Sequence, residues 1–229
     1  MSPKTISFER EAVLEAALKI VRARGLDGLT ARAVAGRLGA SVAPVYRTFR
    51  SMEGLKRAVL ESARRKMDDR TRVPFTDIPF LNIGVGIVVF AREEGRLFRA
   101  LFHSRHHCQD ILRDFQESVL GRMKDDAMLR LLPDVALQGL LGSIWLYTLG
   151  LATAVVYGHL TDTDTKDIVR RLRDMGNVLM FAEVAGIADS EGPANDREWE
   201  RLIREMGIVL PSAKGCPPAA GRGERKDKP

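Results

Sequence analysis

Cysteine is scarce in this chain of 229 residues. Cys108 and Cys216 cannot make a disulfide framework, and they fit a reducing compartment, the cytoplasm. The first ten residues, MSPKTISFER, lack the apolar stretch of a secretory signal, so export is not expected from them. No run alternates apolar and polar residues at strand length, and no internal repeat is visible. Also missing are a phosphate-cradling P-loop, a dinucleotide fingerprint after a strand, an H-E-x-x-H pair and a nucleophile elbow. The Gly84-Val85-Gly86 run has neither a third glycine nor a preceding strand. Asp68-Asp69 and Asp125-Asp126 are sequence neighbours that point apart on a helix, so they read as solvated faces rather than acid–base pairs. No catalytic residue, metal or cofactor is expected, and the chain reads as a non-enzyme.

What is present is a soluble composition, 45% apolar and 29% charged, with a net charge of +6 and a pI of about 9.6. The charge is uneven. Residues 1–65 hold 13 Lys and Arg against 6 Asp and Glu, residues 66–210 hold 18 against 22, and residues 211–229 hold 5 against 2. A basic head therefore precedes a slightly acidic body and a basic tail. The tail is rich in Pro, Gly and charge without apolar period, and it is expected to be disordered. A first boundary falls near Val73–Pro79, where two prolines interrupt the helical pattern.

Helical spacing dominates the rest. Residues 8–24 place Val13, Ala16, Ala17, Ile20 and Val21 on one face, and Gly25 is expected to stop that helix. Leu55, Val59, Ala63 and Met67 line a helix from about Ser51 to Arg70. Ile168, Leu172, Met175, Leu179 and Ala182 line another. The expected class is all-α.

The informative stretch is Thr30–Phe49, TARAVAGRLGASVAPVYRTF. Thr30 is an N-cap candidate for a short helix. Ala35 is small, Gly39 follows four residues later, and Val34, Leu38 and Val45 are apolar, which suits two short helices crossing steeply about a glycine turn. Ser41 is expected to cap the second helix, with Pro44 in its first turn. Such a pair occurs as an ordinary αα-hairpin or as a helix-turn-helix entering a major groove. Arg32, Arg37, Arg47, Arg50, Lys56 and Arg57 supply the clustered cations that phosphate attraction needs.

Residues 8–65 resemble the DNA-binding domain of the tetracycline-repressor (TetR) family of transcriptional regulators, through AVLEAALKIVRARGLDGLT, then RAVAGRLGAS, VYRTF and SMEGLKRAVLE. The resemblance implies a three-helix DNA-binding domain at 8–68 and a larger effector-binding and dimerisation bundle at 75–210, ahead of the 211–229 tail. It implies that Thr30 and Tyr46 bond phosphates and that Val42, Ala43, Pro44 and Arg47 lie near base edges. Arg32, Ser41 and Lys56 complete the DNA-binding set. Thr48 stands where the family often has His, and Met52 where it usually has a phosphate-contacting Lys. The lost contact should flatten the salt slope by roughly one unit, with Arg50 or Lys56 as the compensating cation.

Residues 135–158 carry no charge. The run is long enough to span a membrane, yet Gln138, Ser143, Thr148 and Thr153 and its weakly basic flanks favour a buried core or interface helix. Gly150, Ala154 and Gly158 are expected to admit a partner helix. Pairing with residues 165–186 gives a four-helix dimer interface; an intramolecular bundle is the competing arrangement. Phe90, Phe98 and Phe102, with Trp145 and Tyr147, form the candidate ligand-binding set, although a stripe that includes Leu97 and Leu101 also suits plain core. Arg92, Glu93 and Glu94 read as a solvated face. His103 and His107, with Cys108 or Asp110, have spacing usable by Zn²⁺ or Ni²⁺, but an exposed helix end explains them equally, and no metal is assigned.

The expectation is a homodimeric cytoplasmic regulator, a ligand-responsive repressor binding a near-palindromic double-stranded operator, with an unknown small-molecule effector and no membrane. The alternative is a helical small-molecule-binding or membrane-associated protein that does not read DNA.

Overall fold

The computed structural model describes residues 9–103, 109–161 and 163–190, with backbone alone at 103 and 184–190, and everything below concerns these residues. The elements are α1 (Arg10–Arg24), α2 (Ala31–Leu38), α3 (Ala43–Phe49), α4 (Met52–Thr71), α5 (Pro79–Glu93), α6 (Gly95–His103), α7 (Gln109–Asp125), α8 (Asp134–Val156) and α9 (Thr165–Ser190). Short 3₁₀ turns at Leu26–Gly28 and Leu129–Leu131 complete the description. No strand occurs among the described residues, so the all-α expectation holds.

Local chemistry places the first helix ends. Gly25 ends α1 at φ 76°, donating its N–H to the Val21 carbonyl at 2.8 Å. The buried face of α1 is the expected one, extended by Leu18. The Thr30 hydroxyl accepts the Ala33 N–H at 3.1 Å and starts α2, and Gly39 ends it in the left-handed region at φ 62°. Ser51 starts α4 by accepting the Gly54 N–H at 3.0 Å. Val13, Val21, Val34, Val45, Leu55 and Val59 are fully buried where α1–α4 meet.

α4 belongs to both parts of the molecule. Its first half packs on α1 and α3, and the helix also contacts α5, α6 and α7. The connection from α4 to α5 runs between Thr71 and Pro79, and Asn82 pins it. The Asn82 Oδ1 accepts the Thr76 N–H at 2.8 Å and the Thr76 hydroxyl at 2.9 Å, while its Nδ2 donates to the Thr76 carbonyl at 3.0 Å.

α5 is the central body helix, buried at most positions from Asn82 to Ala91 and packed on α4, α8 and α9. Gly86 is where it meets α4. A Cβ there would stand 2.5 Å from the Arg70 carbonyl oxygen and 2.5 Å from the Thr71 Cα, so only glycine allows this crossing.

α8 packs on α5 and α9 through Ala136, Leu137, Leu140, Thr148, Leu151 and Ala152. Its other face is uncovered: Val135 is 83% exposed and Leu146 74%. The small-residue face expected through Gly158 needs correction. α8 stops at Val156, and Gly158 turns the chain at φ 71° while the His159 N–H reaches the Ala154 carbonyl at 2.9 Å. Gly158 is a helix terminator and contributes no helical face.

Candidate nucleic-acid interface

Two short helices set the site. Val34 and Ala35 of α2 and Pro44, Val45 and Phe49 of α3 turn inward. Thr30 and Arg32 of the first helix, and Ser41, Val42, Ala43, Tyr46 and Arg47 around the second, are exposed. Pro44 is the exception within the base-edge set: it is buried, because the second position of so short a helix faces the core once Val45 and Phe49 do. Ser41 also differs from its expected role. The N-cap position belongs to Val42, whose backbone is already helical, and the Ser41 hydroxyl accepts the Ala43 N–H from outside at 3.4 Å.

The cations divide into two groups. Lys56 lies 2.9 Å from Glu53, and Arg57 lies 3.0 Å from Glu61 and 2.6 Å from Asp110 on α7. The hydrogen bond from Arg57 holds the Asp110 carboxyl below the usual carboxylate range, so this contact persists through neutral pH and is lost only as pH falls through that lowered value. Arg32, Arg37, Arg47 and Arg50 are exposed, and no carboxylate among the described residues pairs with them. Met52 is half-buried against the core cluster and offers no charge. Among these six cations the uncompensated ones thus lie on α2, α3 and the turn after α3, which suits an anionic surface.

Besides the packing of α4 on α5 and α7 and the Arg57–Asp110 pair, a polar corner ties the head to the body. Glu94, between α5 and α6, takes the Arg22 guanidinium in a two-pronged contact at 2.5 and 2.9 Å. Glu93 reaches Arg70 at 2.5 Å, and Arg96 donates to the carbonyls of Arg22 and Ala23 at the end of α1. Arg92 donates to the Thr163 carbonyl at 2.7 Å, ahead of α9. Arg92 and Glu94 are therefore partly buried parts of a tether rather than the solvated face expected, whereas Glu93 is exposed as expected while reaching Arg70. Glu94→Gln should remove about 1 kcal/mol and lower the thermal midpoint by about 2–4 °C in calorimetry. An unchanged midpoint would reduce the bridge to a surface contact.

The aromatic set is brought together in part. The Phe98 and Phe102 ring centroids lie 4.7 Å apart, Phe102 and Trp145 6.1 Å, and Phe115 and Trp145 5.9 Å. Phe90 and Phe98 are 1% and 0% exposed and belong to the core cluster; Phe102, Trp145 and Tyr147 are half-buried against it. Thr148 is 1% exposed, and its hydroxyl has no hydrogen-bond partner among the described residues. It faces α5 and α9, where a Cβ on Gly84 would lie 3.5 Å from both its oxygen and Leu172. An open depression of about 730 Å³, lined by polar side chains including Arg92, Lys166 and Arg170, lies apart from the aromatic set. Residues 106, 107 and 108 and the His103 side chain lie outside the described residues, as does the 211–229 tail.

Sequence reasoning missed the Glu93–Glu94–Arg96 corner, whose partners are up to 74 residues away and leave no local signal. It counted Arg37 only as charge, and offered Arg50 and Lys56 equally as the cation that compensates for Met52. Gly54 carried a signal, a glycine inside a helical pattern: a Cβ there would collide with the Phe49 carbonyl oxygen.

With this geometry in hand, residues 13–59 match the sequence model of a family described as "Bacterial regulatory proteins, tetR family". No curated protein matches the chain. Among solved structures, a tetR-family transcriptional regulator from Streptomyces coelicolor is similar with a TM-score of 0.63 at 17% identity, covering 89% of this chain and 90% of that one. A TetR-like transcriptional regulator from Rhodococcus sp. RHA1 is similar with a TM-score of 0.52 at 16% identity, covering 81% of this chain and 100% of that one. At such identities the structural likeness is one of fold.

Proposed function

We propose that this chain, a DNA-binding transcriptional regulator with a tetR-family N-terminal domain at residues 13–59, acts as a homodimeric, ligand-responsive repressor of a near-palindromic operator. The observation that carries the DNA-reading half is the exposed edge of α3, where Val42, Ala43, Tyr46 and Arg47 stand clear of the core beside unpaired arginines. In the proposed complex α3 lies in the major groove, with Thr30, Arg32 and Tyr46 on phosphates and Arg47 on a base edge. Ser41 lies at the start of α3, and Lys56 is a lesser contributor because Glu53 already holds it.

The dimer reading is supported by α8. An uncharged face can pair with its own copy across a two-fold axis without like-charge repulsion, and Gly142 and Gly150 have open space above them. Val178 of α9, 60% exposed, extends the apolar surface. The effector reading is supported by Thr148, whose buried hydroxyl, without a hydrogen-bond partner among the described residues, suits an apolar ligand with one hydrogen-bonding group. Such a ligand would shift the population between body arrangements, and the α5–α6 corner would pass that shift to α1 and α4. No catalysis is required, and the cytoplasm is the natural compartment.

The test is binding of the purified protein to duplexes it enriches from genomic DNA, at stated salt. Arg47→Ala should lose about 1–3 kcal/mol and relax specificity at one base position. Tyr46→Ala should weaken all sequences alike. Binding no tighter than to random duplex, unaffected by either substitution, would defeat the reading.

A further inference from the structure

We infer that Arg50 is a DNA-phosphate contact, placed by a strained turn that the chain keeps at the expense of its own stability. The inference rests on the DNA-binding reading above and adds to it a particular contact and its structural cause.

Arg50 is the single non-glycine residue with positive φ among the described residues, at φ 64° and ψ −34°. It is the centre of a γ-turn in which the Ser51 N–H donates to the Phe49 carbonyl at 2.7 Å. This conformation is rare and strained for a residue with a Cβ. Its surroundings leave no slack. The Phe49 ring is 6% exposed and lies 4.3 Å beneath the Arg10 guanidinium, which also donates to the Thr48 carbonyl at 3.3 Å. On the other side the bare backbone of Gly54 abuts the Phe49 carbonyl oxygen.

Glycine would adopt this turn with no steric penalty, so local geometry does not account for an arginine. Its side chain does. Arg50 is exposed, and no carboxylate pairs with it among the described residues. Its own N–H donates to the Tyr46 carbonyl at 2.9 Å, which fixes the root of the side chain to the last turn of α3. A helix lying in a major groove has strand phosphates alongside its ends, where a cation anchored in this way meets the backbone rather than a base. Neither nearby alternative is as free: Met52 is packed and uncharged, and Lys56 is held by Glu53.

The experiment compares wild type, Arg50→Gly, Arg50→Ala and Arg50→Lys. Thermal midpoints are measured alongside affinity for a labelled mixed-sequence duplex across about 0.05 to 0.2 M potassium chloride. Arg50→Gly should raise the midpoint by about 2–4 °C through relief of the turn. It should also reduce the magnitude of the slope of log K against log salt by about 0.9, with about five- to tenfold weaker binding near 0.1 M. Arg50→Ala should show the binding loss without the stability gain, and Arg50→Lys should keep the wild-type slope. Glycine and alanine variants that bind with the wild-type slope would overturn the contact while leaving the DNA-binding reading intact. A glycine variant no more stable than the alanine variant would overturn the strain. A wild type with no salt-dependent affinity for duplex DNA would overturn both the inference and the reading beneath it.

Discussion

Alanine at Gly86 should destabilise the protein strongly, whereas alanine at Gly84, two residues away on the same helix, should stabilise it. The new methyl at 86 would lie 2.5–2.6 Å from the carbonyl oxygen and carbon of Arg70 and from the Thr71 Cα, all of them backbone atoms that no rotamer change can move. The last turn of α4 cannot easily retreat. Thr71 is 1% exposed, and Arg122 holds it through its hydroxyl at 2.9 Å and its carbonyl at 3.0 Å. Overpacking of this kind costs about 3 kcal/mol or more, which lowers the midpoint of a domain this size by roughly 6–12 °C. At Gly84 the new methyl meets Leu172 and Thr148 at 3.5 Å, ordinary contact, and the helix gains about 1 kcal/mol of intrinsic preference. Calorimetry on the two variants reads the contrast directly. Equal shifts in the same direction would refute the close crossing.

Leu146→Arg should convert a dimer into a monomer. Leu146 is 74% exposed in the single chain, so a change there disturbs the subunit's own fold by no more than about 0.5 kcal/mol. In the proposed assembly the same side chain lies on the shared α8 surface. An unpaired cation there would cost about 4 kcal/mol, or about a thousandfold in the dissociation constant. Losing the link between two heads should then remove roughly 10²–10⁴ of operator affinity. Sedimentation velocity and operator binding, measured together, decide the matter. A variant that sediments and binds like wild type would show that α8 is not the interface. A variant that loses affinity for lipid vesicles instead would revive the membrane alternative, since α8 is long and apolar enough to cross a bilayer.

These results bear on what the amino-acid order made legible. Gly25, Thr30, Gly39 and Ser51 could be assigned from the chain because each acts through a hydrogen bond or a backbone torsion within a few residues of itself. The apolar faces of α1 and α4 were legible for a similar reason, since a helix repeats its inward side every turn. Pro44 shows where that reasoning stops: its position in the first turn was legible, but its burial was not, because in a seven-residue helix the inward side takes a large share of the positions. Phe90 and Phe98 show another limit. Spacing identifies an inward side but not whether the opposing helices fill the space in front of it. Glu94 looked solvated because Arg22 reaches it only after the chain has folded back. Gly86, dismissed as half of a nucleotide-binding fingerprint, proved to be the helix crossing itself.

The α5–α6 corner also decides which DNA-binding heads this body would accept from another protein. Half of the grip belongs to the head, as Arg22, Arg70 and the open carbonyls at the end of α1. A donor head could match every apolar contact and still lack cations at positions 22 and 70. It would then meet two adjacent carboxylates with nothing to neutralise them, and would sit loosely on an otherwise intact body. Modularity in this protein therefore has a charge code, and a transplant that respects it must carry the arginines as well as the recognition helix.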